Sequence, residues 1–96
     1  MDNRIYLINP YDYYSELLTE KQREYFEDYY FDNLSLTEIS ENDNISRNAI
    51  HKQLKDTIVK LENYENKLKL YQKGIQIKEL IKNLDNKTKE KIEELI

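Results

Sequence analysis

Three hydroxyl side chains fix where helices can begin in this chain, and they stand close together. Thr19 is followed three residues on by Gln22, and Ser35 by Glu38. In each pair the hydroxyl can accept a backbone N–H of the first helical turn while the longer side chain reaches back to the cap. Ser46 supplies a third N-cap. Starts this near to one another leave room only for short helices joined by tight polar turns. The remaining sequence agrees: 96 residues contain one Gly and one Pro, helix-forming Lys, Glu, Leu and Gln run throughout, and no strand-like alternation is present. The fold class expected is therefore all-α, with a helix-turn-helix core and a long C-terminal helix.

Asn9-Pro10-Tyr11-Asp12 reads as a helix start, with Asn9 as N-cap and Pro10 at the first helical position, the helix reaching about Leu18. From Thr19 a second helix carries Tyr25, Phe26, Tyr29 and Tyr30 as one aromatic stripe, broken at Asp32-Asn33. A third helix of about two turns runs from Ser35 to Asn42, and Asn44 is the residue in the following turn best able to take a left-handed conformation. The fourth helix starts at Ser46. Its inward positions, Ala49, Ile50, Leu54, Ile58, Leu61, Tyr64, Leu68 and Tyr71, repeat at threes and fours over a length that a small monomer is not expected to cover, so part of that stripe is expected to meet a second copy. Gly74 is expected to end this helix as its C′ residue. Two weaker amphipathic pieces follow, Ile77 to Leu84 and Ile92 to Ile96, separated by a turn at Asp85-Asn86. The division expected is a helix-turn-helix domain over residues 1–73 and a helical extension over 74–96, the latter a dimerisation element.

Charge is unevenly spread. Residues 1–45 hold three basic and eleven acidic side chains, a net −8, while residues 46–96 hold twelve and eight, a net +4. Nucleic acid would be repelled by the first half and attracted by the second, so any such contact belongs to a local face after residue 45. Without Cys there is neither a disulfide framework nor a thiolate zinc site, and one His completes no ligand set. No cofactor is expected. The longest apolar run, Ile5 to Ile8, is far too short to span a bilayer or form a signal-peptide core, so a cytoplasmic protein without a membrane role is expected.

The segment Leu36 to Ile50 fits a helix-turn-helix position by position: Leu36 and Ile39 bury the first helix, a turn of three or four residues follows, and Ile45, Ala49, Ile50 and Leu54 anchor the second. Ser46, Arg47, Asn48, His51, Lys52 and Lys55 then face outward. Arg and Lys can contact guanine or phosphate, Asn can pair with adenine in bidentate fashion, and Ser at a helix N-terminus can hold a phosphate. The plainer reading of the same residues is a cap and a set of solvated surface groups on a helix-turn-helix that serves only as scaffold. His51 lacks partners for metal binding or base catalysis. The acids Glu24, Glu27, Asp28 and Asp32 have no pocket to divide their pKa values, and no Gly-rich phosphate loop exists, so no enzyme activity is expected. Tyr13-Tyr14 and Tyr29-Tyr30 read as core or interface, and the lysines after Lys67, interspersed with glutamates, as a solvated face.

Taken together, Leu17 to Tyr25, Tyr29-Tyr30, Leu34 to Ile39 and Ile45 to Ile50 resemble the YlxM family of small bacterial helix-turn-helix proteins and, more distantly, region 4 of bacterial sigma factors, over about Tyr11 to Leu70. The chain departs from that pattern at Ser40, Asp43 and Asn44, where many members carry Ala, an apolar residue and Gly. The resemblance implies a sigma-like nucleic-acid-binding core extended by a long helix, dimeric assembly, and a regulatory role connected to the signal recognition particle pathway. DNA or RNA, components of that particle and a second copy are the partners implied. The alternative, from a different class, is a non-catalytic adaptor that docks its acidic N-terminal half, Glu27 and Asp28 included, on a basic protein partner.

Overall fold

The computed structural model describes the backbone of residues 4–96 and the side chains from Tyr6 onward. The described residues form six α-helices: α1 (Arg4–Tyr14), α2 (Glu20–Tyr30), α3 (Leu36–Asp43), α4 (Arg47–Leu68), α5 (Leu70–Ile81) and α6 (Asn86–Glu93). A single 3₁₀ turn, Ser15–Leu17, links α1 to α2. Helices α1, α2 and α3 each pack on α4, while α5 and α6 continue as an arm, and the molecule has extents of 52 × 25 × 22 Å.

Both reciprocal caps form as the sequence implies. Thr19 Oγ1 accepts from Gln22 N while Gln22 Oε1 accepts from Thr19 N, each at 3.1 Å. Ser35 Oγ accepts from Glu38 N at 3.0 Å and Glu38 Oε1 from Ser35 N at 3.1 Å. The aromatic stripe of α2 faces inward. Tyr25, Phe26 and Tyr30 are buried and Tyr29 is half-buried. Phe26 stacks on Tyr11 at 4.3 Å between ring centroids, which ties α2 to α1.

The N-terminus differs from expectation. Helix α1 starts at Arg4, so Pro10 lies inside it and Asn9 is not its cap. Leu7, Tyr11, Tyr14 and Leu18 recur on one face and are all buried, and that packing holds the helix through the proline. The carbonyl that loses its partner belongs to Tyr6, an exposed residue. Asn9 instead donates from Nδ2 to Tyr71 Oη at 3.0 Å, joining α1 to α5.

Along the stripe that α4 carries on to Tyr71, Ile50, Leu54 and Leu61 are wholly enclosed, Ala49, Ile58, Tyr64 and Tyr71 are half-buried and Leu68 is 44% exposed, so one chain covers most but not all of the stripe. Helices α1, α2 and α3 each lay a face along it, which a chain of this size can do because α4 is the common spine rather than one of several equal layers. Thr57, also enclosed, satisfies its hydroxyl by donating to the Gln53 carbonyl at 2.8 Å.

The end of α4 also differs from expectation: it falls at Leu68, six residues before Gly74. Lys69 takes the left-handed conformation at φ 55, ψ 31 and serves as C-cap of α4 and N-cap of α5. The side chain that fixes this break is Glu65. Its Oε1 accepts from Tyr14 Oη at 2.7 Å and from Tyr71 N at 3.1 Å, and its Oε2 accepts from Gln72 N at 3.0 Å. Tyr14 Oη in turn accepts from Leu70 N at 3.0 Å. One carboxylate and one phenol thus satisfy the amides that open α5. Burial, followed by the bond to Glu65, raises the Tyr14 pKa.

Gly74 sits in the middle of α5 for a packing reason: a Cβ there would lie 2.5 Å from Tyr13 Oη and 2.8 Å from Ile96 Cγ2. Asp85 is the N-cap of α6, its Oδ2 accepting from Thr88 N at 2.9 Å, where the sequence suggested only a turn. That bond holds the Asp85 carboxyl below its usual range.

Candidate nucleic-acid interface

The corner between α3 and α4 takes three residues, Asn44, Ile45 and Ser46. Asn44 adopts φ 54, ψ 43, the left-handed conformation that Asn tolerates best among residues with a Cβ, and its N–H donates to the Ser40 carbonyl. Ile45 N donates to the same carbonyl at 3.1 Å. The chain then extends through Ser46, whose Oγ accepts from Ala49 N at 3.1 Å. Ile39, Ile50 and Leu54 lock the two helices together from below, with Leu36 and Ala49 half-buried at the edge. Ile45 does not join them. It follows the left-handed reversal, its side chain swings to the outside of the corner, and it is left exposed.

All six side chains singled out from the sequence, Ser46, Arg47, Asn48, His51, Lys52 and Lys55, are exposed. At the helical repeat, Asn48, Lys52 and Lys55 lie near the pole of α4 opposite Ile50, Leu54 and Leu61, with Arg47 and His51 on one flank. From Arg47 to Lys55 the surface runs about 12 Å along the axis, close to the width of a B-DNA major groove. Ser46 Oγ is committed as an acceptor, which leaves its hydroxyl hydrogen to donate outward.

The cations differ in their surroundings. Arg47 and Lys55 have no ion pair with any described residue, whereas Lys52 Nζ lies 3.3 Å from Asp56 Oδ2, one turn further along. Asp56 escaped the sequence reading, although a Lys and an Asp four apart on a helix was the signal for it. Asp43, at the end of α3, pairs with α2: Lys21 Nζ stands 3.8 Å from its buried Oδ2, an oxygen with no hydrogen-bond partner among the described residues. The phenol of Tyr25 is raised by burial and then by the Asp43 carboxylate beside it.

The acidic residues of α2 are largely occupied within the chain. Glu27 Oε2 accepts from Tyr11 Oη at 2.6 Å, Glu24 pairs with Lys21 at 3.2 Å, and Asp28 is half-buried, its pKa raised by burial first and then by the charge of Glu24. Among the described residues no group of three His, Cys, Asp or Glu side chains could hold a metal ion, and no helix is long and apolar enough to cross a membrane.

A short helix and a long one meeting at a three-residue corner, with the second carrying an exposed polar and cationic face, define a helix-turn-helix protein. A family model described as "Putative helix-turn-helix protein, YlxM / p13 like" matches residues 1–96. The chain is similar to a UPF0122 protein of Fusobacterium nucleatum, 43% identical over all of this chain and 94% of that one. It is 47% identical to a UPF0122 protein of Oceanobacillus iheyensis over 84% of this chain and 77% of the relative, and 47% identical to one of Malacoplasma penetrans over 76% and 68%. The chain belongs to the UPF0122 family of YlxM / p13-like proteins.

Proposed function

We propose that this protein binds nucleic acid through the first turns of α4, using Ser46, Arg47, Asn48, His51, Lys52 and Lys55, in a regulatory role. The observation that carries the reading is the exposure of all six on the outer helix of the corner, with no acidic side chain between Arg47 and Lys55. The resemblance to the YlxM family supports placing that role in the cytoplasm, in the signal recognition particle pathway, with DNA or the particle's RNA as the ligand. Arg47→Ala combined with Lys52→Ala is expected to weaken binding and flatten the dependence of log K on log salt, whose slope is about −0.9 per phosphate neutralised on DNA. Binding by the double variant equal to wild type, in a titration against both a DNA duplex and the particle's RNA, removes the assignment.

In this reading residues 1–73 form the binding unit and residues 74–96 the extension that pairs two copies. Leu80 and Leu95, 82% and 87% exposed, support the second part. Because the boundary falls inside α5, two paired units would be held at a fixed spacing. A wild-type protein that sediments as a monomer at micromolar concentration defeats the pairing without touching the binding surface.

A further inference from the structure

We infer that Asp56 is a built-in competitor for the phosphate that Lys52 contacts, lowering the affinity of the interface and moderating its salt dependence. The inference rests on the nucleic-acid reading above and adds to it a residue of opposite charge. Three observations carry it. Lys52 Nζ and Asp56 Oδ2 are 3.3 Å apart on one helix, with side chains 80% and 54% exposed. A pair so open to water is weak and exchanges readily for a stronger anion, so it tunes binding without abolishing it. Arg47 and Lys55, on either side of Lys52, have no such carboxylate among the described residues. Asp56 also ends the basic stretch of the first turns: the next outward positions are Val59, 53% exposed, and Glu62, and the next exposed cation on α4 is Lys67.

A phosphate that takes Lys52 must therefore displace the Asp56 carboxylate and leave it unpaired beside the polyanion. Neutralising that carboxylate frees the ammonium and removes the repulsion together. The test is Asp56→Asn, which keeps the shape of the side chain, assayed by fluorescence anisotropy against a mixed-sequence DNA duplex and a stem-loop RNA between about 50 and 200 mM salt. The expected result is about three- to tenfold tighter binding at the low end and a steeper salt slope, by at most about 0.9, as Lys52 neutralises its phosphate without competition. In a Lys52→Ala background the same change should gain much less, because the interaction it relieves is gone. Unchanged affinity and slope in Asp56→Asn, alongside a wild type that binds and an Arg47→Ala variant that binds less, overturns the inference and leaves the nucleic-acid reading standing. An equal gain with and without Lys52 also overturns it, since Asp56 would then act only as one more negative charge. If neither wild type nor Asp56→Asn binds either probe at the lowest salt, the reading itself fails and the inference with it.

Discussion

Helix α4 is bounded by two left-handed residues, Asn44 before it and Lys69 after it, and the two breaks are made in opposite ways. At Asn44 everything needed lies within a few residues: an Asn that accepts positive φ, a Ser40 carbonyl that receives two amides, and a Ser46 cap. At Lys69 the local residues favour continuation. Lys is a good helix former, and a Cβ at φ 55 is a cost. What holds the break there is shared between a local carboxylate, Glu65, and the Tyr14 phenol that reaches it from α1. One corner is held by residues within a few positions of one another, and the other adds a phenol from α1 to its local carboxylate.

The largest effect should come from the second break. Glu65→Ala removes three acceptor contacts and leaves the hydroxyl of fully buried Tyr14 without its carboxylate. A loss of about 2–3 kcal/mol is expected from urea unfolding, in line with bonds to a charged group and an orphaned buried donor. Amide exchange locates it: Leu70, Tyr71 and Gln72 should lose protection, while Ile39 and Ile50 keep theirs at any given global stability. Uniform loss across α3 and α5 would show that the two breaks are not independent.

Ser46→Ala attacks the first break and should cost less, about 1 kcal/mol, the usual value of an N-cap hydroxyl. Its signature is the reverse, with protection lowered at Ala49 and Ile50 and unchanged at Tyr71. If Ser46→Ala instead loosens α5, the arm depends on the corner and the contrast between local and distant breaks is wrong.

The same contrast explains what the sequence makes legible. Thr19 with Gln22, Ser35 with Glu38, Ser46 and Asn44 are readable because each signal and its partner lie within about one turn, and they place α2, α3, the corner and the exposed face of α4. Gly74 misleads because the only glycine is a natural helix stop, whereas its actual use is to let Tyr13 and Ile96 approach α5, a contact between residues far apart in the chain. Pro10 misleads likewise, since the buried row Leu7, Tyr11, Tyr14 that carries α1 through it takes effect only against α2 and α4. The apolar stripe of α4 is legible as a packing face, while the three helices that cover most of it are not, because periodicity gives the area of a face and says nothing of what lies on it.

The smallest effect gives the sharpest comparison: glycine placed at each of the two left-handed residues that flank α4. Gly adopts positive φ without steric cost but carries more freedom in the unfolded chain, so the sign of the change depends on how much the resident residue is strained. At Lys69 the left-handed cost for a residue with a full side chain is about 1–2 kcal/mol, larger than the about 0.4–1 kcal/mol of added unfolded-state entropy. Lys69→Gly should therefore stabilise by a few tenths to about 1 kcal/mol. Asn44 already tolerates this conformation, its strain is smaller, and Asn44→Gly should be neutral or slightly destabilising. Thermal unfolding of the two variants side by side reads the difference directly. A gain at Asn44 as large as that at Lys69 would mean that both breaks are equally strained, and that the corner, too, is held by packing rather than by its own residues.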